Sequence, residues 1–361
     1  MPAHKRIVVI DARPLARGKG GIQRYLSRLL PYLIDNNNFE IILYSDKPVS
    51  GLTKKQLNNV KLRTVNVPVF SPMLWHMVVP VWLRVDRPSV YWSPRHHLPF
   101  LLPSKCKNIV TIHDFVWKTV PKTMPMLKRL TEQILMPRAI LNSDQIICIS
   151  KTTQAQLKNY FPGSEQKSVL ILHGHDQITK MNLEKPLPSQ NYFLAVGTLE
   201  PRKNYERLLA AFSLYTNSGG KMRLVIVGKK GWRFKNIFNE LHQMKVQNQI
   251  DIFTDVTDSQ LHEYYQNTCG FVSISLDEGY GLPPQEAQQY GLPLLLSRID
   301  VYCELYPNAD LWVNPSSISN ISYALHELEQ LSLGSKTQHA CNTSSSWQTC
   351  ATSVMYCFSI S

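Results

Sequence analysis

Short apolar, β-rich runs alternate with helix-patterned segments along almost the whole chain, and that alternation constrains the fold more than any single motif. Strands are predicted at 7–10, 40–44, 62–67, 90–92, 109–112, 145–149 and 169–172, each followed by a helical or loop segment. The pattern lapses at KMNLEKPLPSQ (180–190) and then restarts, with strands predicted at 192–196, 223–227, 250–253, 270–274 and 294–296. Strand–helix–strand order of this kind gives an α/β fold built on parallel sheets. A double run of it predicts two doubly wound domains, 1–178 and 191–345, joined by a linker at 179–190. The closing segment 346–361 carries Trp347, Ala351, Val354, Met355 and Phe358 at helical spacing and is expected to form a short terminal helix.

At 361 residues the chain is long enough for two domains at about 150 residues each. Lys and Arg number 39 against 26 Asp and Glu, and the resulting +13 points to anionic partners. No RRM, KH, zinc-finger or helix-turn-helix signature accompanies the charge, so nucleic acid is not expected. The seven cysteines form no CxxC pair and are odd in number, which favours thiols in a reducing compartment over disulfides or a zinc site. The N-terminal basic stretch precedes only four consecutive apolar residues, short of a signal-peptide core, and 73–83, interrupted by His76 and Pro80, is short of a membrane span. A cytoplasmic protein is expected.

In doubly wound sheets, ligands bind outside the carboxyl ends of strands, so chemistry is sought in the loops that follow them. After the first strand, Gly18, Gly20 and Gly21 precede a helix bearing Ile22, Leu26, Leu29 and Leu30. Glycines there let amide groups at a helix N-terminus approach a phosphate, although the spacing is not GxGxxG and equally fits a flexible turn. The strand 109–112 ends in His113-Asp114, where the ring can serve a sugar or phosphate with Asp114 fixing its tautomer, or simply cap a loop. After 192–196 comes GTLEPRKNYERLLAAF, in which Asn204 is placed to cap a helix and Arg202 and Lys203 stand just before it. Two cations at a helix N-terminus suit a diphosphate, and a solvated basic loop is the plainer reading. After 270–274, SLDEGYGLPPQEA sets Glu278 and Glu286 with seven residues between them, one on a glycine-bearing loop and one in a helix opened by Pro283-Pro284. They can hold two parts of an extended ligand, and carboxylates accept well from vicinal diols.

These pieces together, with RLVIVGKKGW (223–232), the turn near IDIFTDVTD (250–258), Glu304 and Asn314-Pro315, resemble the retaining family 4 glycosyltransferases of GT-B fold. The likeness runs from about residue 5 to 330 and departs from the family's common pattern at Gln23 and His173-Gly174. It implies two Rossmann-like domains facing across a cleft, with the terminal helix crossing back to the first. It further implies that Arg202 and Lys203 bind the donor diphosphate, with amides around Gly20 and Gly21 completing that site. Glu286 would take the ribose hydroxyls, and the backbone near Val256 would frame the base. Glu278, with amides of Gly279, Tyr280, Gly281 and Leu282, would hold the transferred hexose, and His113 would lie beside the reacting carbon. No D-x-D triplet occurs, so the resemblance implies a metal-independent reaction with no cofactor beyond the nucleotide-sugar substrate.

The opening IDARPLARGKGGIQRY and the GTLEPRKN and EGYGLPPQEA forms look most like bacterial GDP-mannose-dependent mannosyltransferases of O-antigen or exopolysaccharide synthesis. A UDP-sugar donor, a non-catalytic nucleotide-sugar-binding protein and a sugar-nucleotide epimerase stand as alternatives. The implied acceptor is a lipid-linked oligosaccharide at the inner face of the cytoplasmic membrane. Segments 68–88 and 121–140 mix Trp, Met and Leu with Arg84, Arg87, Lys128, Arg129 and Arg138, which suits docking on an anionic bilayer and also suits ordinary core helices with basic edges.

Overall fold

The structure, a computed structural model, describes residues 5–16, 20–65, 72–175, 191–244, 246–333 and 346–359. Seven parallel strands form one sheet: β1 (Arg6–Asp11), β2 (Phe39–Ser45), β3 (Lys61–Thr64), β4 (Val90–Ser93), β5 (Lys107–Ile112), β6 (Gln145–Cys148) and β7 (Ser168–Leu170), in the order β3-β2-β1-β4-β5-β6-β7. Six more form a second: β8 (Tyr192–Val196), β9 (Arg223–Val227), β10 (Ile250–Phe253), β11 (Gly270–Ser273), β12 (Leu294–Ser297) and β13 (Leu311–Val313), in the order β10-β9-β8-β11-β12-β13. The α/β, doubly wound parallel architecture expected from the alternation is the one observed. Sequences such as RIVVID and YFLAV make these strands because helices cover both faces of a parallel sheet, so continuous apolar runs are required; Val8, Val9, Ile10, Phe193 and Leu194 are wholly buried.

β13 is absent from the sequence expectations. It is three residues long, lies at the sheet edge beside β12 and runs into Asn314-Pro315, so it carries no readable period. Conversely, β3 ends at Thr64; positions 66 and 67 of the expected strand lie outside the described residues, as do Gly18, the linker 179–190 and the stretch 334–345.

The chain divides into two compact units: 1–115 with 127–174 and 345–361, and 116–126 with 175–344. In each unit the strand order reverses once, between β1 and β4 in the first and between β8 and β11 in the second. A doubly wound sheet opens a crevice at that point, because the loops leaving the two neighbouring strands diverge to opposite faces.

The terminal helix, Trp347–Ser359, belongs to the first unit and packs against the helix Gly21–Ile34. It buries Trp347, Cys350, Ala351, Val354, Cys357 and Phe358; Met355 is only half-buried. Phe358 meets Phe39 edge-on, with centroids 5.7 Å apart. Carbonyls left over at the helix end accept from Arg6 (2.8 Å to Ser359 O) and Lys107 (3.1 Å to Cys357 O), cations that also suit the negative end of the helix dipole. Phe358→Ala should therefore cost the first unit about 3 to 5 kcal/mol, read as a lower urea midpoint; an unchanged midpoint would mean that the terminal helix is dispensable to the sheet.

Candidate functional site

In the second unit the site begins where β8 ends. Gly197 leaves the strand at φ +156°, and Gly228, after β9, comes so close that a Cβ there would lie 1.8 Å from Gly197 O, which explains the glycine of the VGKKG run. A tight turn, Pro201–Lys203, then presents Arg202 and Lys203. Asn204 occupies the position before the helix Tyr205–Asn217, but it does not cap it through its side chain as expected. Its backbone is left-handed (φ 64°), and its Nδ2 donates instead to Ile274 O (3.1 Å) and Pro315 O (2.7 Å). Asn204 thus staples the cation-bearing turn to the end of β11 and to the loop after β13.

The loop leaving β11 supplies the anion. Glu278 is buried, and its carboxylate takes hydrogen-bonded ion pairs from both Arg202 and Lys203, with Ser275 Oγ donating at 2.8 Å. Arg202 also donates to Asp277 O (2.8 Å) and, through Nε and Nη2, to Glu200 (3.2 and 3.0 Å). Burial alone would raise the Glu278 pKa; the two adjacent cations overcome it and hold the carboxyl at about 2. Asp277 accepts from the Glu278 amide (2.8 Å) and from Thr119, which belongs to the same unit. Glu200, Ser275, Asp277 and Thr119 were not expected as site residues; the first three lie inside the quoted motifs, whereas Thr119 lies far away in sequence with no signal to mark it.

Gly281 ends this loop at φ +92°, and a Cβ there would sit 2.6 Å from the Tyr302 ring. Tyr306 donates its hydroxyl to Gly281 O at 2.5 Å, so two buried tyrosines from the helix Asp300–Leu305 and its end fix the loop. The helix Leu282–Gln289 follows, with Gly281 at its N-terminal cap position. Glu278 is on the loop and Glu286 within the helix, half-buried. Gly279 and Tyr280 are buried and Leu282 half-buried, while Val256 is half-buried in the turn between β10 and the helix Asp258–Asn267.

Gly20, Gly21 and His113 belong to the first unit. Gly20 is extended at the N-terminus of Gly21–Ile34, just beyond β1, whose last residue Asp11 is buried against Arg13 (2.6 Å). His113 follows β5 and is buried. Its Nε2 lies 2.9 Å from Pro94 O, so a backbone carbonyl, rather than the neighbouring Asp114, fixes its tautomer. Burial, aided by nearby His96, pushes its pKa down to about 4, leaving a neutral ring. His96, after β4, accepts the His113 backbone N–H on Nε2 (3.0 Å), so its proton sits on Nδ1 and goes to Glu132 Oε2 (3.2 Å). Burial opposes a charge on His96 and the Glu132 carboxylate favours one and prevails, raising its pKa; in this conformation the His113 amide nonetheless leaves room for a proton on Nδ1 only. His97 donates to the same Oε2 at 3.0 Å. None of His96, His97 and Glu132 was anticipated.

Two helices of the first unit are apolar outward as well as inward. The helix Pro72–Asp86 buries Trp75, Val79 and Leu83, yet exposes Met77 (61%), Val81 (58%) and Val85 (62%) at four-residue spacing. The helix Met126–Asn142 exposes Leu127, Leu130, Ile134 and Leu141. Arg138, expected among the docking cations, is half-buried and donates to Pro99 O (3.1 Å) and Phe100 O, so it holds a loop instead. Among the described residues no helix is long and apolar enough to cross a membrane.

Residues 178–345 match the family described as Glycosyl transferases group 1. The chain is 21% identical over 335 residues, 90% of its length and 91% of the relative's, to the O-antigen chain mannosyltransferase RfbU of Salmonella typhimurium. It is 28% identical over 264 residues, 69% and 67% of the two lengths, to O-antigen chain mannosyltransferase B of Escherichia coli. Among solved structures, WaaG, a glycosyltransferase involved in lipopolysaccharide biosynthesis, superposes with a TM-score of 0.73 at 14% identity, covering 96% of this chain and 94% of that one. At that identity the likeness speaks to the fold, which is GT-B.

A carboxylate whose folded pKa lies below its unfolded value stabilises the fold above the unfolded value and ceases to as pH falls through the folded one. Glu278→Gln should thus lower unfolding free energy by about 3 kcal/mol near neutral pH, with the gap to wild type closing as pH drops from about 4.5 toward 2. Urea titrations at stepped pH would read it, and a gap constant with pH would mean that the ion pairs do not hold the loop.

Proposed function

We propose that this chain, a glycosyltransferase whose residues 178–345 match the Glycosyl transferases group 1 family, moves mannose from GDP-mannose to a lipid-linked oligosaccharide in bacterial O-antigen or related surface-polysaccharide synthesis, retaining the anomeric configuration and using no metal. The observation that carries this reading is the convergence of Arg202, Lys203 and Glu278 at the β8/β11 switch point. Cleaving a sugar from a diphosphate builds negative charge on the leaving oxygen, and preorganised cations lower that barrier most. Arg202 offers a planar fork and Lys203 a mobile ammonium with three donors, which pairing with Glu278 does not exhaust. Glu278, held ionised, accepts from hexose hydroxyls beside the amides of Gly279 to Leu282, and Glu286 accepts from the ribose. His113, neutral and with its proton on Nε2, lies beside the reacting carbon, while the amides of Gly20 and Gly21 complete the phosphate contacts. Val256 lends backbone to the base. Two relatives named as O-antigen mannosyltransferases support the choice of sugar.

The test is nucleotide release from a panel of GDP- and UDP-sugars with chelator present. Release from GDP-mannose is expected, with Glu286→Ala weakening GDP binding and Arg202→Ala slowing release by roughly 100-fold while leaving GDP affinity within a few-fold. Unchanged GDP affinity in Glu286→Ala removes the ribose contact, and full activity in Arg202→Ala removes the diphosphate role. Release from a UDP-sugar alone moves the donor assignment. Proton NMR of the product's anomeric signal decides retention.

We place the acceptor at the inner face of the cytoplasmic membrane, where the outward stripe of Met77, Val81 and Val85, flanked by exposed Arg84 and Arg87, would rest on anionic lipid. Binding to phosphatidylglycerol vesicles should exceed binding to phosphatidylcholine vesicles and fall with salt, and Val81→Asp should weaken it; equal sedimentation of wild type and variant would leave the stripe without this role.

A further inference from the structure

Glu132 and His96 form a chain of hydrogen bonds that ends on His113 within the first unit, and the proposed chemistry gives neither of these two residues a role. Glu132 comes from the inward face of Met126–Asn142, a helix that otherwise buries Leu135, Met136, Ala139 and Ile140. It has no structural need to be acidic there: a buried carboxylate is costly unless donors meet it, and here two imidazoles do, both on Oε2. One of them, His96, turns its second nitrogen to the His113 backbone N–H at 3.0 Å. The His113 ring is then fixed from the other side by Pro94 O at 2.9 Å, and the His113 carbonyl accepts from Thr153 Oγ1 at 3.3 Å.

We propose that Glu132 is a positioning residue for transfer: by demanding a proton on His96 Nδ1, it keeps His96 Nε2 open as the acceptor that seats the His113 backbone beside the reacting sugar. The proposal rests on the reading of His113 given above. Its logic is tautomeric. An imidazole with one proton is a donor at one nitrogen and an acceptor at the other, so a carboxylate on one side dictates an acceptor on the other. Without the carboxylate, a proton on Nε2 would face the His113 N–H, donor against donor, and the loop would have to move. An amide can still accept from His96, or can turn its NH2 group toward it, so Glu132→Gln keeps the shape but removes the compulsion.

Long-range proton–nitrogen correlation spectra of histidine-labelled protein read the tautomers directly, with His96→Gln and His113→Ala used for assignment. Wild type should show His96 as Nδ1–H and His113 as Nε2–H. Glu132→Gln should populate the Nε2–H form of His96, shift the His113 signals, and slow GDP release from GDP-mannose by roughly 10- to 100-fold at unchanged GDP affinity and unfolding midpoint. Glu132→Asp should recover part of the rate. Wild-type His96 as Nε2–H overturns the proposal, as does Glu132→Gln with wild-type tautomers and rate, or a rate loss matched by a fallen unfolding midpoint. A wild-type rate in His113→Ala would instead remove the role of His113 on which the proposal stands, and this outcome is separable because the tautomer measurement does not depend on it.

Discussion

A carboxylate buried between two cations governs the second unit. Glu278 alone would be costly to bury, and Arg202 and Lys203 alone would repel each other on one turn; together they lock the loop after β11 to the loop after β8. Nearly every unusual local feature nearby serves that juxtaposition. Asn204 accepts a left-handed backbone so that its amide can hold the β11 end, and Gly281 accepts one so that Tyr302 can pack against it. Gly228 gives way to the Gly197 carbonyl. The same three charged groups that hold these loops together are the ones proposed to meet the donor, so ligand hydroxyls and phosphates would replace one set of satisfied contacts with another.

Much of the sheet framework was legible because parallel strands buried on both faces must be written as unbroken apolar runs, and YFLAV and RLVIV are of that kind. LWV at β13 was not, since three residues at an edge need no such run. The clustering of Arg202, Lys203 and Glu278 was legible for a similar reason: each lies directly after a strand, where topology alone brings loops together. What stayed hidden was whatever depended on the inward side of a helix. Glu132 follows Lys128 and Arg129 in KRLTEQ and reads as one more surface charge, and its partner His96 is 36 residues away. Asn204 misled for a related reason. Its position matched a helix cap, but its Nδ2 donates to the carbonyls of Ile274 and Pro315 and its Oδ1 accepts from Arg207, so the side chain makes no bond to the helix's own amides.

The first unit has a different interior. Tyr25 meets His113 edge-on at 5.3 Å and stacks on His173 at 4.8 Å, and Trp347 lies 5.8 Å from His173. Rings from Gly21–Ile34 (Tyr25), from the end of β5 (His113) and from the terminal helix (Trp347) thus surround His173. Such packing disfavours a charged imidazole, and burial is the leading cause that pushes the pKa down at both His173 and His113.

That arrangement bears on the order in which the protein can assemble on the ribosome. The residues 175–344 of the second unit are all synthesised before Trp347, whereas the first unit lacks the wall behind Tyr25 and His173 until Trp347–Ser359 has been added. The unit begun first is therefore finished last, reversing the usual vectorial sequence in which an N-terminal domain is complete while its successor is still being made. A nascent chain holds an open apolar groove on the helix Gly21–Ile34 for as long as it takes to translate everything between, and a chain that lacked Trp347–Ser359 would keep the second unit whole and leave the first uncovered.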